Sequence, residues 1–349
     1  MNFSSDNVTG VCPEIAAAVS SANTATAMPY GSDDATRRVE AAIKQLFQCE
    51  ADVFLLSTGT AANVLGLSVL CPPYGSIYCH SKAHIEIDEC GGPEFYTGGA
   101  KLVLLPDRGG KIMADDLAKA LKNQHGDVHH VKPAAVSLSQ TGETGAVYSV
   151  DEIKAISNIA HKNGMKVHMD GARFANAIAA IGCSAAETSW KAGVDILSFG
   201  ASKNGAFAAE AVVIFTPGLA EDFAYRRKRG GHLFSKMRFL AAQFEAYLKD
   251  DLWLQSARHA NNCMETIAQG LSAIKDVELL FPPDANMLFA RLPNSMIINL
   301  RAKGFAFYDW PDENFSTIRL VTAFDTRIED CVSFVQEVKK ISQLKYGSS

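Results

Sequence analysis

Residues 194–215 read "VDILSFGASKNGAFAAEAVVIF", which sets one lysine, Lys203, among Gly200, Ala201, Ser202, Gly205, Ala206, Ala208 and Ala209. Lysine is among the side chains least often buried whole. Its small neighbours offer little to pack on, yet they leave room for a bulky group to approach the backbone. Two readings compete: a loop lysine in water, or an amine held beside a bound group. The flanking runs, 196–199 and 211–215, are short, apolar and rich in branched residues, as buried strands are.

The same kind of run recurs at 53–56, 77–79, 101–105, 134–138 and 166–169. Helix-period segments lie between the runs. In 34–47, Val39, Ile43, Leu46 and Phe47 share one face; 115–121 and 150–161 show the same period. This alternation predicts βαβ units in an α/β fold, with a mostly parallel seven-stranded sheet covered on both faces. After Phe215 the rhythm changes. Two long helical stretches, 234–248 and 252–274, precede short strands at 278–281, 287–291, 306–308 and 317–320, and a helix over 328–341. The expected organisation is a segment 1–20 packing with the small domain, a large domain over 21–250, and a smaller α+β domain over 251–349.

Composition narrows the class. The chain has 349 residues, 48% of them hydrophobic, enough for a substantial core. A net charge of −5 removes any overall bias toward nucleic acid or anionic membranes. Eight cysteines are scattered without a C-x-x-C pair, which reads as reduced thiols in the cytoplasm rather than a disulfide frame or zinc site. The opening "MNFSSDNVTG" lacks the basic and apolar regions of a secretory signal. The most apolar window, 53–71, is broken by Ser57, Thr58, Gly59, Thr60, Asn63 and Gly66, so no membrane span is expected.

Ligands of open α/β sheets bind beyond the carboxyl ends of the strands, so the residues just past each strand carry the most information. After 53–56 comes "STGTAANV", with Thr58, Gly59 and Thr60 at a helix start that suits a phosphate as well as ordinary capping. After 166–169 comes "MDGAR": Asp170 and Arg173, which alone read as a structural ion pair. With Lys203 after the next strand, three parts converge: an anion cradle, an acid and an amine. Pyridoxal phosphate needs these three, for its phosphate, its pyridine nitrogen and its aldehyde. Nucleotide binding fits less well, since neither G-x-G-x-x-G nor G-x-x-x-x-G-K-[ST] occurs.

Three further features have bland and functional readings. His84, in "HSKAHIEIDECGG", suits a base or a ring stacked on a cofactor, although lone histidines are more often structural. His80, four residues earlier, finds no third ligand at matching spacing, so no metal is expected. The basic segment 225–238 includes Lys228 and Arg229; it reads mainly as a solvated face, with one or two side chains able to reach a phosphate across a subunit interface. Arg319, in "STIRLVTAFDT", carries the planar fork that suits an α-carboxylate, though pattern alone favours a surface arginine.

The spaced set "HMDGAR", "SFGASKNGA" and a late "RLVTAFDT", with "FSSDNVTG", "PYGSDDATRRVE", "LSTGTAAN" and "RRKRGGHLFSKMR", resembles the low-specificity L-threonine aldolases. These belong to the fold type I pyridoxal phosphate enzymes, near the β-eliminating lyases. The resemblance implies Lys203 as the Schiff-base residue, Asp170 and Arg173 at the ring, and His84 stacked on it. It implies Thr58, Gly59, Thr60 and Ser202 around the cofactor, with Lys228 and Arg229 contributed at a subunit interface. Ser5, Arg173 and Arg319 would take the substrate carboxylate, with Tyr30 nearby. The implied reaction is cleavage of threonine, allo-threonine or phenylserine to glycine and an aldehyde, in a homodimer or homotetramer with shared sites. A β-eliminating lyase or aminotransferase is the alternative. One departure stands out. Where many relatives carry a histidine in "T-H-N-G", this chain has "SQTGETGAVY", which leaves His84, Glu143 or a water as the base for the β-hydroxyl proton.

Overall fold

In the computed structural model, which describes residues 1–122, 127–310 and 316–346, the seven apolar runs pair into one sheet. They are β1 (Asp52–Leu56), β2 (Gly75–His80), β3 (Lys101–Leu105), β4 (Lys132–Ser139), β5 (Lys166–Gly171), β6 (Ile196–Gly200) and β7 (Glu210–Ile214). Their order is β1-β7-β6-β5-β4-β2-β3. The pairs from β3 to β6 are parallel; β7 runs antiparallel to both β6 and β1. The mostly parallel α/β sheet expected from the sequence is therefore present.

Helices cover both faces. They are α1 (Pro13–Ser21), α2 (Asp34–Phe47), α3 (Gly59–Leu70), α4 (His84–Ile87), α5 (Gly92–Thr97), α6 (Ala114–Lys122), α7 (Val150–Lys162), α8 (Phe174–Ile181), α9 (Ala220–Arg229) and α10 (Arg238–Leu248). Strand alternation divides the core. Leu197 and Phe199 of β6 and Val213 of β7 join Phe47, Phe174 and Phe244 on one face. Ile196, Val212 and Ile214 join Val64, Leu65 and Phe223 on the other. Helix α3 is apolar nearly all round and lies enclosed, with Gly66 pressed onto Ile196 and His168.

The second unit is a four-stranded antiparallel sheet, β10-β11-β9-β8, built from β8 (Glu278–Leu279), β9 (Met287–Arg291), β10 (Tyr308–Trp310) and β11 (Thr317–Val321). It packs with α11 (Leu252–Ser272), α12 (Asn294–Ala302) and α13 (Ile328–Tyr346) around Phe3, Ile267, Leu288, Leu320 and Phe334. Helix α11 serves both units: Trp253 and Ala257 lie in the large core, and Cys263 to Leu271 in the small one.

Two expectations change. Residue 306 is not in a strand; the N-terminal segment takes its hydrogen bonds, with Phe3 N–H donating to Ala306 O at 2.8 Å and Asn2 bridging to it. The segment 1–20 divides, since Phe3 packs on Phe334 while α1 packs against α10 of the large unit. The basic segment, expected mainly as a solvated face, begins in the last turns of α9, where Tyr225, Lys228 and Arg229 are exposed. Among the described residues no helix is long and apolar enough to cross a membrane.

Phe199, one residue before the end of β6, packs against Phe47, Phe174, Phe244, Tyr247 and Trp253, with ring centroids 5.8–6.2 Å away. Phe199→Ala should cost about 3–5 kcal/mol of unfolding free energy in a urea titration.

Candidate active site

The parallel strands end together along one edge. Asp170 and Gly171 at the end of β5 pair with Ser198 and Phe199 of β6, and the turn after β6 carries Lys203. That turn is tight and well tethered. Asn204 Nδ2 donates to Tyr247 Oη at 2.9 Å and to Trp253 O at 2.8 Å, and Gly205 closes the turn at φ +106°. Gln243 Oε1 accepts from the amides of Phe207 and Ala208, both at 2.9 Å, and so fixes the small-residue loop.

Asp170 is buried with both oxygens engaged: Oδ1 accepts from Ala172 N–H at 3.0 Å and Oδ2 from Asn63 Nδ2 at 2.9 Å. Two residues back on the same strand face, His168 is buried between Ser137 Oγ (2.9 Å) and Ser198 Oγ (3.1 Å). Burial drops its pKa to about 4, so it stands under Asp170 as a neutral ring.

Helix α3 points its N-terminus at the same place. Thr58 caps it, accepting from Ala61 N–H at 3.2 Å, while the amides of Gly59 and Thr60 have no carbonyl one turn back to bond. His84, at the start of α4, is held by Glu89: its Nδ1 lies 2.8 Å from Glu89 Oε1, which also accepts from Asn63 Nδ2 at 2.8 Å. One amide thus ties His84's support to Asp170. The bond to Glu89 raises the His84 pKa, and burial raises that of Glu89.

Arg173 faces a different partner from the one its spacing suggested. Its Nε and Nη2 donate to Asp6 at 2.7 and 2.8 Å, and both side chains are buried. Asn286 of the small unit adds a bond to Asp6 at 3.2 Å. Burial opposes the Asp6 charge, yet Arg173 holds its carboxyl below the usual range. Arg319 on β11 lies close enough to feel the Arg173 charge, and its Nε is buried without a hydrogen-bond partner.

These groups enclose a cavity of about 310 Å³ lined by Thr58, Gly59, Thr60, His84, Asp170, Arg173, Ser202 and Lys203. Asn7, Asn63, Thr141, Glu143, Phe207 and Glu210 also line it. A wider groove of about 990 Å³ beside α1, α2 and α10 holds none of these residues, so size alone does not mark the site. Ser5, Tyr30, Lys228, Arg229 and Arg319 lie outside the cavity lining in the single chain. Ser5 is buried and caps a short turn by accepting from Asn7 N–H at 3.1 Å, while Lys228 Nζ sits 4.9 Å from the Tyr30 ring centre. Among the described residues no cluster of three or more His, Cys, Asp or Glu side chains is arranged to hold a metal ion.

Sequence reasoning missed Asn63, Glu89, Asp6 and Glu210. Asn63 sits one turn after Thr60 in an otherwise apolar helix, and Glu89 comes five residues after His84 in the same short motif, so both had a local signal. Because the Glu89 bond lifts the His84 pKa above its ordinary 6.5, this contact stabilises the fold fully below about pH 6.5 and fades as pH rises through the folded value. Glu89→Gln should lower the His84 pKa, read from its imidazole NMR signal, and diminish that pH-dependent stabilisation.

The family described as Beta-eliminating lyase matches residues 2–294. The low specificity L-threonine aldolase of Pseudomonas aeruginosa is 45% identical over 340 residues, 97% of each chain. That of a Pseudomonas species is 46% identical over 88% of each chain. A solved threonine aldolase of Leishmania major superposes with a TM-score of 0.92 at 29% identity, covering 98% of this chain and 99% of that one. Serine palmitoyltransferase of Sphingomonas wittichii, at 15% identity and TM-score 0.74, shares the fold. With a family match across most of its length and relatives of such identity, the chain belongs to the β-eliminating lyase family, alongside the low-specificity L-threonine aldolases.

Proposed function

We propose that this protein is a pyridoxal phosphate-dependent aldehyde-lyase that cleaves threonine, allo-threonine or a related β-hydroxy-α-amino acid to glycine and an aldehyde. The observation that carries this is one cavity shared by the Lys203 amine, the Asp170 carboxylate and the N-terminus of α3. The cavity's volume suits a small cofactor. Its wall also holds buried polar atoms left over for a ligand, including Thr141 Oγ1 and Asn63 Oδ1.

When bound, the cofactor supplies a protonated pyridine ring that takes up the electron pair left at Cα. Lys203 would hold it covalently. Asp170, fixed by Asn63 and Ala172, would accept from the ring N–H and keep that proton in place. The free amides of Gly59 and Thr60, with the Thr60 and Ser202 hydroxyls, would bind the phosphate. His84, oriented by Glu89, would lie against the ring. Arg173, kept charged by Asp6, supplies positive charge at the cavity wall for the substrate carboxylate, with Arg319 behind it. His84 and Glu143 are the lining groups suited to take the β-hydroxyl proton.

We propose further that the protein works in the cytoplasm as a homodimer or homotetramer with shared sites. All eight cysteines are free, as a reducing compartment would leave them. A second subunit would give Tyr30, Lys228 and Arg229, outside the cavity of a single chain, a route to a neighbouring site.

Incubating the purified protein with L-threonine should release acetaldehyde and glycine in equal amounts with no keto acid; a keto acid product would favour the lyase or aminotransferase reading. Lys203→Ala should abolish aldehyde release, and turnover surviving in that variant would overturn the assignment.

A further inference from the structure

Glu210 opens β7, and because β7 runs antiparallel to β6, its first residue lies at the same sheet edge as Asp170 and Lys203. It is 5% exposed and lines the cavity. A carboxyl buried at a strand end is costly unless something there answers its charge. Ser202, whose hydroxyl bonds to Ala209 across the same turn, is its polar neighbour. Small residues make its room: a Cβ on Gly200 would stand 3.0 Å from Glu210 Oε2 and 2.8 Å from Ala172 Cα.

The ionisable groups that face it are Lys203 from the turn after β6, Asp170 from the end of β5, and Tyr247 from α10. Asp6, from the N-terminal segment, also acts on Lys203. Asp170 repels a second negative charge, and burial keeps Tyr247 protonated, so of these only Lys203 can balance a carboxylate. A glutamine would fill the same place without burying a charge. What the acid adds is a charge set against the lysine. Burial pushes the Glu210 carboxyl up to about 7, with Ser202 and Lys203 pulling the other way, so it changes charge near neutrality.

We propose that Glu210 is the counter-ion of the Lys203 nitrogen, a positioning residue that acts through this lysine and sets the pH at which that nitrogen becomes charged in the cofactor-loaded protein. This rests on the assignment of pyridoxal phosphate to the cavity.

The visible absorption band of the holoenzyme tracks the charge on that nitrogen, so a spectrophotometric pH titration reads the effect without turnover. In Glu210→Gln the midpoint should fall by about one pH unit, the shift expected on losing an adjacent opposite charge. In Glu210→Asp, with the carboxylate withdrawn by one methylene, it should fall less. Thermal unfolding of each variant identifies any loss of fold; should Glu210→Gln unfold, Glu210→Asp alone carries the test. A midpoint unchanged from wild type in the folded variant overturns the inference and leaves the cofactor assignment intact. A wild-type protein with no visible band after adding pyridoxal phosphate overturns both.

Discussion

Strands β5 and β6 lie side by side and end in register, and this alignment sets the Asp170 carboxylate next to the turn that carries Lys203. Everything else at the site is arranged around that pair. The strands are held in place from below, where Phe199 packs among five aromatic rings and His168 sits neutral between two serine hydroxyls. A one-residue slip of β6 would turn its side chains to the opposite face and bury the wrong set. The apolar alternation of the strand therefore fixes the chemistry at its end.

Two hydrogen-bonded chains then carry that order outward. One runs from His84 through Glu89 and Asn63 to Asp170, so the ring of the histidine and the Asp170 carboxylate share a single amide as reference point. The other runs from Arg173 through Asp6 to Asn286 and joins the large sheet to the small unit. A buried charge pair of this kind is weak evidence of extra stability, because desolvation offsets much of its attraction. Its effect lies in orientation: Asp6 uses up two guanidinium nitrogens of Arg173, which restricts what the remaining donors can face.

Much of this was legible in the chain. Short apolar runs between 3.6-period segments placed the seven strands within a residue or two, since both faces of a parallel sheet are buried and leave an unbroken apolar signature. That Lys203, Asp170, His84, Arg173 and the Thr58–Thr60 turn would gather around one cavity was also readable, because a ligand site at strand ends recurs at predictable offsets. What escaped were residues whose roles depend on long-range contact. Asp6 meets Arg173 across 167 positions, which no local pattern reveals. Residue 306 has a strand-like neighbourhood, yet the first three residues of the chain claim its hydrogen bonds. Glu210 stood in plain view, one acid between Ala209 and Ala211, but its meaning required knowing that β7 runs backwards in the sheet.

Cofactor attachment through the Lys203 amine is the point on which the functional assignment turns. Reducing the holoenzyme with borohydride and mapping its peptides by mass spectrometry tests this directly. A pyridoxyl phosphate adduct is expected on the peptide containing Lys203. An adduct on another lysine, with the Lys203 peptide unmodified, would contradict it.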